Sequence, residues 1–132
     1  MKKILIIKLL SIISLFLFSC SNKATEPSSD IKSYIGSWYE TGESGLISES
    51  DKVFDINADG SITHYTYKDF GGTLTVDSTA AAGDVVSTGA GKFECNFKDS
   101  SGNSTKINLD FSSDTEGKYQ KGTDGYLNIK KK

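Results

Sequence analysis

Arginine is missing from this 132-residue chain, and histidine, tryptophan, methionine and proline occur once each. Without arginine there is no planar fork to clamp phosphate or read guanine edges. A single histidine, His64, cannot supply the three or four His and Cys ligands that zinc takes. No serine sits in a G-x-S-x-G elbow, the strained turn that exposes a hydrolase nucleophile. The 17 acids produce neighbouring carboxylates by number alone, so pairing carries no signal. Catalytic machinery is therefore absent from the pattern, and the chain reads as a non-enzyme that requires no cofactor. Nucleic acid is excluded as a partner as well.

What is present begins with an address. Met1, Lys2 and Lys3 form a positive start, and Ile4 to Phe18 is apolar apart from Lys8, Ser11 and Ser14. A membrane span needs roughly 20 apolar residues, so this stretch is too short and reads as the core of an export signal. It ends in Leu17-Phe18-Ser19-Cys20. That ending resembles the lipobox of bacterial lipoproteins, with a branched apolar residue three before the cysteine and a small one just before it; Phe18 departs from the usual small or β-branched choice. The resemblance implies cleavage before Cys20 and a covalent lipid on its thiol, with palmitate-type acyl chains. The polar stretch after it, with Pro27 inside and no apolar period, reads as a tether. The chain thus divides into a signal peptide (1–19), a lipidated Cys20 with its tether (20–30) and one folded domain (31–132). The expected location is the cell membrane or outer membrane, lipid-anchored, with the domain facing the periplasm or exterior. Once Lys2, Lys3 and Lys8 leave with the signal, twelve lysines face 17 acids, a formal charge of −5. With Cys20 acylated, Cys95 has no partner and is expected as a free thiol.

About 100 residues allow one core. Ile31, Tyr34 and Ile35 have the spacing of one helical turn whose apolar side closes an end of that core, and the turn stops at Gly36. After it, short strands alternate with turns rich in Gly, Asn and Asp. Phe93, Cys95 and Phe97, then Ile107, Leu109 and Phe111, alternate with polar residues on either side of Asp99 to Ser104, which is a hairpin with one dry face. Cys95 lies on that dry face, as a buried and unreactive thiol would. A second hairpin spans Val53 to Lys68 around Asn57-Ala58-Asp59-Gly60, and a third turns at Gly122 to Gly125. Further strands follow Trp38 and include Leu74 and Val76, with weaker ones near Leu46 and Val85. Most of Ser78 to Gly91 reads as loop. The expected fold is all-β: an antiparallel meander of about eight or nine short strands, closed as a small barrel or sandwich, with one N-terminal helical turn.

Two motifs bear on function. Gly36-Ser37-Trp38 opens the first strand after the helical turn and resembles the G-x-W signature of lipocalins. That resemblance implies a barrel-base role for Gly36 and Trp38, beneath a cavity for a small hydrophobic ligand. The arginine which that family packs on the tryptophan late in the chain has no counterpart. Asp55, Asn57, Asp59 and the Ser61 carbonyl resemble the start of an EF-hand loop, which makes them the calcium candidates. Position 12 of that loop is Thr66 instead of the bidentate glutamate, and strands flank it, so an ordinary hairpin turn is the simpler reading and no metal is assigned. Tyr65 and Tyr67 share a strand face opposite Ile62 and His64. Together these features favour a lipid-anchored module with a non-catalytic envelope or surface interaction role toward a protein partner. A lipocalin-like carrier of a small hydrophobic ligand is the alternative.

Overall fold

A computed structural model describes residues 27–42, 47–67 and 72–132 of the chain. A short 3-10 helix, Ile31–Tyr34, is capped by Asp30, whose carboxylate accepts from the Lys32 backbone N–H at 3.0 Å. Nine strands follow: β1 Gly36–Thr41, β2 Ile47–Ile56, β3 Ile62–Tyr67, β4 Leu74–Ala80, β5 Val85–Gly89, β6 Lys92–Asp99, β7 Ser104–Phe111, β8 Glu116–Lys121 and β9 Leu127–Lys131. Eight of them close an antiparallel barrel, and β5 is an extra strand against β6. Hairpins between sequence neighbours make most of the barrel. Two further joins complete it: β1 pairs with β9, from Trp38–Lys131 to Glu40–Ile129, and β4 meets β6 through only Ser78–Asp99 and Thr79–Lys98.

The described barrel is filled by its own side chains. At one end, hereafter the base, the Tyr34 ring stacks on Phe111 at 4.0 Å, and Trp38 and Phe93 lean on the same pair. Further in, Phe54, His64, Phe97 and Tyr119 form a second aromatic layer, with Phe54 edge-on to Tyr119 at 5.1 Å. Val53, Ile56, Ile62, Ala80, Cys95, Ile107, Leu109 and Ile129 complete the described core. Offset and edge-on rings pack densely because their quadrupoles favour such contacts over face-to-face sandwiches.

Three details differ from the sequence expectation. Ser78, Thr79 and Ala80 are not loop but the end of β4, with Ser78 and Ala80 buried. Small residues fit there, opposite His64 and Ile62 on β3, and their low apolarity conceals a period of two. The 3-10 turn at Ala82–Asp84 then steps the chain sideways, and β5 takes over the lower part of the β6 edge that β4 leaves. Ile35 does not close the core with Ile31 and Tyr34: the backbone is extended there, and the side chain stays 42% exposed at the base. The chain is tied to the base as early as Ser28. Its carbonyl accepts from Gly91 N–H at 2.8 Å, and its N–H donates to the Tyr34 hydroxyl at 2.7 Å.

Candidate functional site

The end opposite the 3-10 helix, the mouth, holds a cleft of about 330 Å³. Its floor is the upper aromatic layer, with His64 and Tyr119; its rim carries Glu40, Thr66 and Lys121. Irregularities in strand pairing shape it. Between β1 and β2, Trp38 pairs with Phe54 and Tyr39 with Lys52, so Val53 is an extra residue. Between β3 and β4, His64 pairs with Ser78 and Tyr65 with Val76, so Asp77 is the extra residue. A bulge re-aims the side chain it carries, and here the Asp77 carboxylate comes within 2.9 Å of His64 Nδ1. The same oxygen accepts from Ser78 Oγ at 3.2 Å and lies 3.8 Å from the Lys121 ammonium on β8.

His64 is only 6% exposed, held between the Phe54 and Phe97 rings. Burial pushes its pKa below the usual histidine value, the hydrogen bond to Asp77 opposes this, and the Lys121 charge adds to the lowering. The imidazole is therefore neutral at neutral pH, and its Nδ1–H donates to Asp77. Burial on its own would raise the Asp77 carboxyl; the hydrogen bond from His64, with the Lys121 charge and the Ser78 hydroxyl, brings it below the ordinary value. On the other side of the cleft, Tyr119 O–H donates to Glu40 Oε2 at 3.3 Å. Burial and the Glu40 carboxylate both hold the Tyr119 hydroxyl in its protonated form. The arrangement offers a neutral imidazole, a phenol, two carboxylates and an ammonium around a shallow recess, a set suited to polar recognition.

Of the residues singled out in the sequence, Gly36 and Trp38 sit at the base. Trp38 is fully buried, and its indole N–H donates to the Tyr34 carbonyl at 2.9 Å. The Lys131 ammonium lies 5.9 Å from the Trp38 ring centroid, within cation–π range. A cation late in the chain thus packs on the tryptophan although no arginine is available. Gly36 is explained by its backbone, at φ +137°, a conformation that L side chains rarely adopt; an added Cβ would also come 3.0 Å from Lys131 Cδ.

The calcium candidates divide. Asn57, Asp59 and Ser61 make a hairpin turn: Asp59 Oδ1 accepts from the Ser61 N–H at 2.9 Å, and the Ser61 carbonyl accepts from the Asn57 N–H at 2.9 Å. Asp55 is occupied elsewhere, on the outer face, where its carboxylate takes Ser37 Oγ at 2.6 Å, Lys52 Nζ at 2.7 Å and Tyr65 Oη at 2.6 Å. Burial raises the Asp55 carboxyl, but these three donors outweigh it and leave the pKa low. Tyr65 is pushed up to about 12 by burial and by that carboxylate. Among the described residues no three His, Cys, Asp or Glu side chains are placed to share a metal ion.

Cys95 is buried on the dry face, and burial pushes its thiol up to about 12. Cys20, with residues 1–26, lies outside the described residues. Sequence reasoning missed Glu40, Asp77 and Lys121. Asp77 reads as a polar position in an alternating strand, and only the bulge turns it toward His64. No family model matches this chain, and no curated protein or solved structure is similar to it.

Proposed function

We propose that the protein is a membrane-anchored lipoprotein with a non-catalytic interaction role in the cell envelope or at the cell surface, and that the barrel mouth is the part presented to a protein partner. The observation that carries this reading is the contrast between the two ends of the lumen. The described interior is occupied by two aromatic layers, while the mouth is a part-open recess lined by groups of both charges. A filled eight-stranded barrel is a rigid stand, and rigid stands suit loops and rims that recognise partners. The non-catalytic part is supported by the use of each reactive group: His64 is neutral and committed to Asp77, and Cys95 is buried in the core.

The lipocalin-like carrier keeps one specific support, the base built from Gly36, Trp38 and the 3-10 helix, with Lys131 on the tryptophan. Against it stands the packed interior, since a hydrophobic ligand needs the space that Phe54, Phe97, Leu109 and Ile107 fill.

The test is photo-crosslinking in bacterial cells that express the full chain, with the crosslinker at Thr66 on the mouth or at Ser113 near the base. Protein adducts formed at Thr66 and missing at Ser113 support the interaction reading. Equal adducts at both positions refute it. A co-purifying mass of a few hundred daltons in native mass spectrometry would favour the carrier instead. Cys20→Ser tests the anchor: lipid labelling and membrane retention should both vanish.

A further inference from the structure

We infer that the base of the barrel is apposed to the lipid head groups of the membrane that holds the protein, with Ile35 as its contact, so that the mouth points away from the bilayer. The inference rests on the proposed lipid at Cys20. It follows from where the described chain begins and from what that end exposes.

Only six residues separate Cys20 from Pro27. Fully extended, that connection reaches at most about 25 Å. Its far end is fixed at the base, because Ser28 is held by the Gly91 N–H and by the Tyr34 hydroxyl. The barrel is nearly as tall as this reach. β6 has eight residues, and at roughly 3.3 Å per residue and a tilt of about 40° such a strand rises about 20 Å along the barrel axis. To bring the mouth to the membrane, the connection would have to climb the whole wall and be drawn out almost straight. With the base down it has length to spare.

The exposed chemistry of the base agrees. Ile35, 42% exposed, puts a large apolar side chain at the base; Val76, Val86, Tyr126 and Leu127 are exposed elsewhere on the described surface, so the tether length carries the orientation and Ile35 supplies the contact. Lys32 on the 3-10 helix, Lys131 at the end of β9 and Lys132 after it lie at the same end of the barrel. Lysines snorkel readily at such a boundary, with their stems on apolar surface and their ammonium groups among head groups. The base also carries Asp30, Asp59 and Asp114, and Glu116 pairs with Lys130 at 3.2 Å. Net charge therefore does not hold it down, and apposition should persist on zwitterionic lipid.

The experiment uses the processed, lipidated protein in phosphatidylcholine vesicles containing a lipid with a nitroxide on its head group. A fluorophore is placed at Ser33→Cys on the base or at Ser101→Cys in the β6–β7 turn at the mouth, both of which are exposed. The buried Cys95 thiol stays silent in the labelling reaction. Quenching several-fold stronger at position 33 than at 101, reduced when Ile35→Ser is added, is the expected result. Equal quenching at the two positions, or stronger quenching at 101, overturns the orientation while leaving the anchor intact. An intact mass without the lipid increment, together with failure to float with the vesicles, removes the anchor and the orientation with it.

Discussion

Gly91→Ala tests how the N-terminal segment and the barrel base are locked together. Gly91 lies in the β5–β6 turn with φ +72°, and an L residue there costs about 1–2 kcal/mol. Space is the second obstacle. An added Cβ would collide with the Phe111 carbonyl oxygen and stand 2.7 Å from Pro27 Cβ, neither of which is the loose end of a flexible side chain. Relief requires the backbone to part, and two hydrogen bonds run through this residue: Phe111 N–H to the Gly91 carbonyl and Gly91 N–H to the Ser28 carbonyl, both 2.8 Å. Loss of either removes about 1 kcal/mol, so the expected destabilisation is about 3 kcal/mol. For a domain of about 100 residues that lowers Tm by about 12–24 °C. Gly102→Ala is the control, since φ is +84° there but nothing lies within 4 Å of the new methyl; it should show the backbone strain alone. Thermal and urea melts of both variants, followed by near-ultraviolet circular dichroism, give the comparison. If the two variants agree within about 0.5 kcal/mol, a margin typical of surface substitutions, the packing at Gly91 is not what holds Ser28 to the base.

Three further outcomes are expected. Because the His64 pKa is lowered in the folded protein, the unfolded chain takes up its proton first as pH falls below about 6.5, the ordinary histidine value, and stability drops in that window; His64→Gln should flatten the dependence of the urea midpoint between neutral pH and that window's acid side, and an unchanged slope would refute the assignment. Cys95, with its thiol pushed up to about 12, should resist thiol reagents in native buffer and react only as the protein unfolds in urea; prompt stoichiometric labelling of the native protein would contradict its burial. Tyr34→Phe removes both hydroxyl contacts to Ser28, at 2.7 and 3.1 Å, and should destabilise by about 1–3 kcal/mol; hydrogen exchange at the Ser28 amide should quicken, and unchanged protection would show that Gly91 alone holds the segment.

The fold is legible in the sequence wherever a strand has one fully apolar face. Phe93, Cys95 and Phe97 against Ile107, Leu109 and Phe111 reveal both the hairpin and its buried side, and the structure pairs Cys95 with Ile107 and Phe93 with Leu109. The lower half of β4 is not legible because Ser78 is polar and Ala80 is small, so neither marks the inward face. The mouth is hidden for a different reason. Asp77 meets His64 through a bulge, which is a slip of one residue between two strands, and it meets Lys121 across the lumen from a strand far away in the chain. Neither relation leaves a mark on spacing within one segment. The Asp55 to Ser61 pattern shows the converse. Its residues have calcium-loop spacing, yet strand alternation sends Asp55 to the outer face, where Lys52, Ser37 and Tyr65 claim it.

The pairing of β1 with β9 sets an order of events. A chain that emerges N-terminus first can zip β1 onto β2 at once, but the opposite edge of β1 has no partner until Ile129 to Lys131 arrive. Until then the wall has a gap beside Trp38, and Lys131 is not yet over the indole. Contacts of such long sequence separation form slowly because the loop they close is large. Under the proposed export, a chain threaded across a membrane before it folds would gain from this delay, since the barrel cannot shut while its last strand is still in transit.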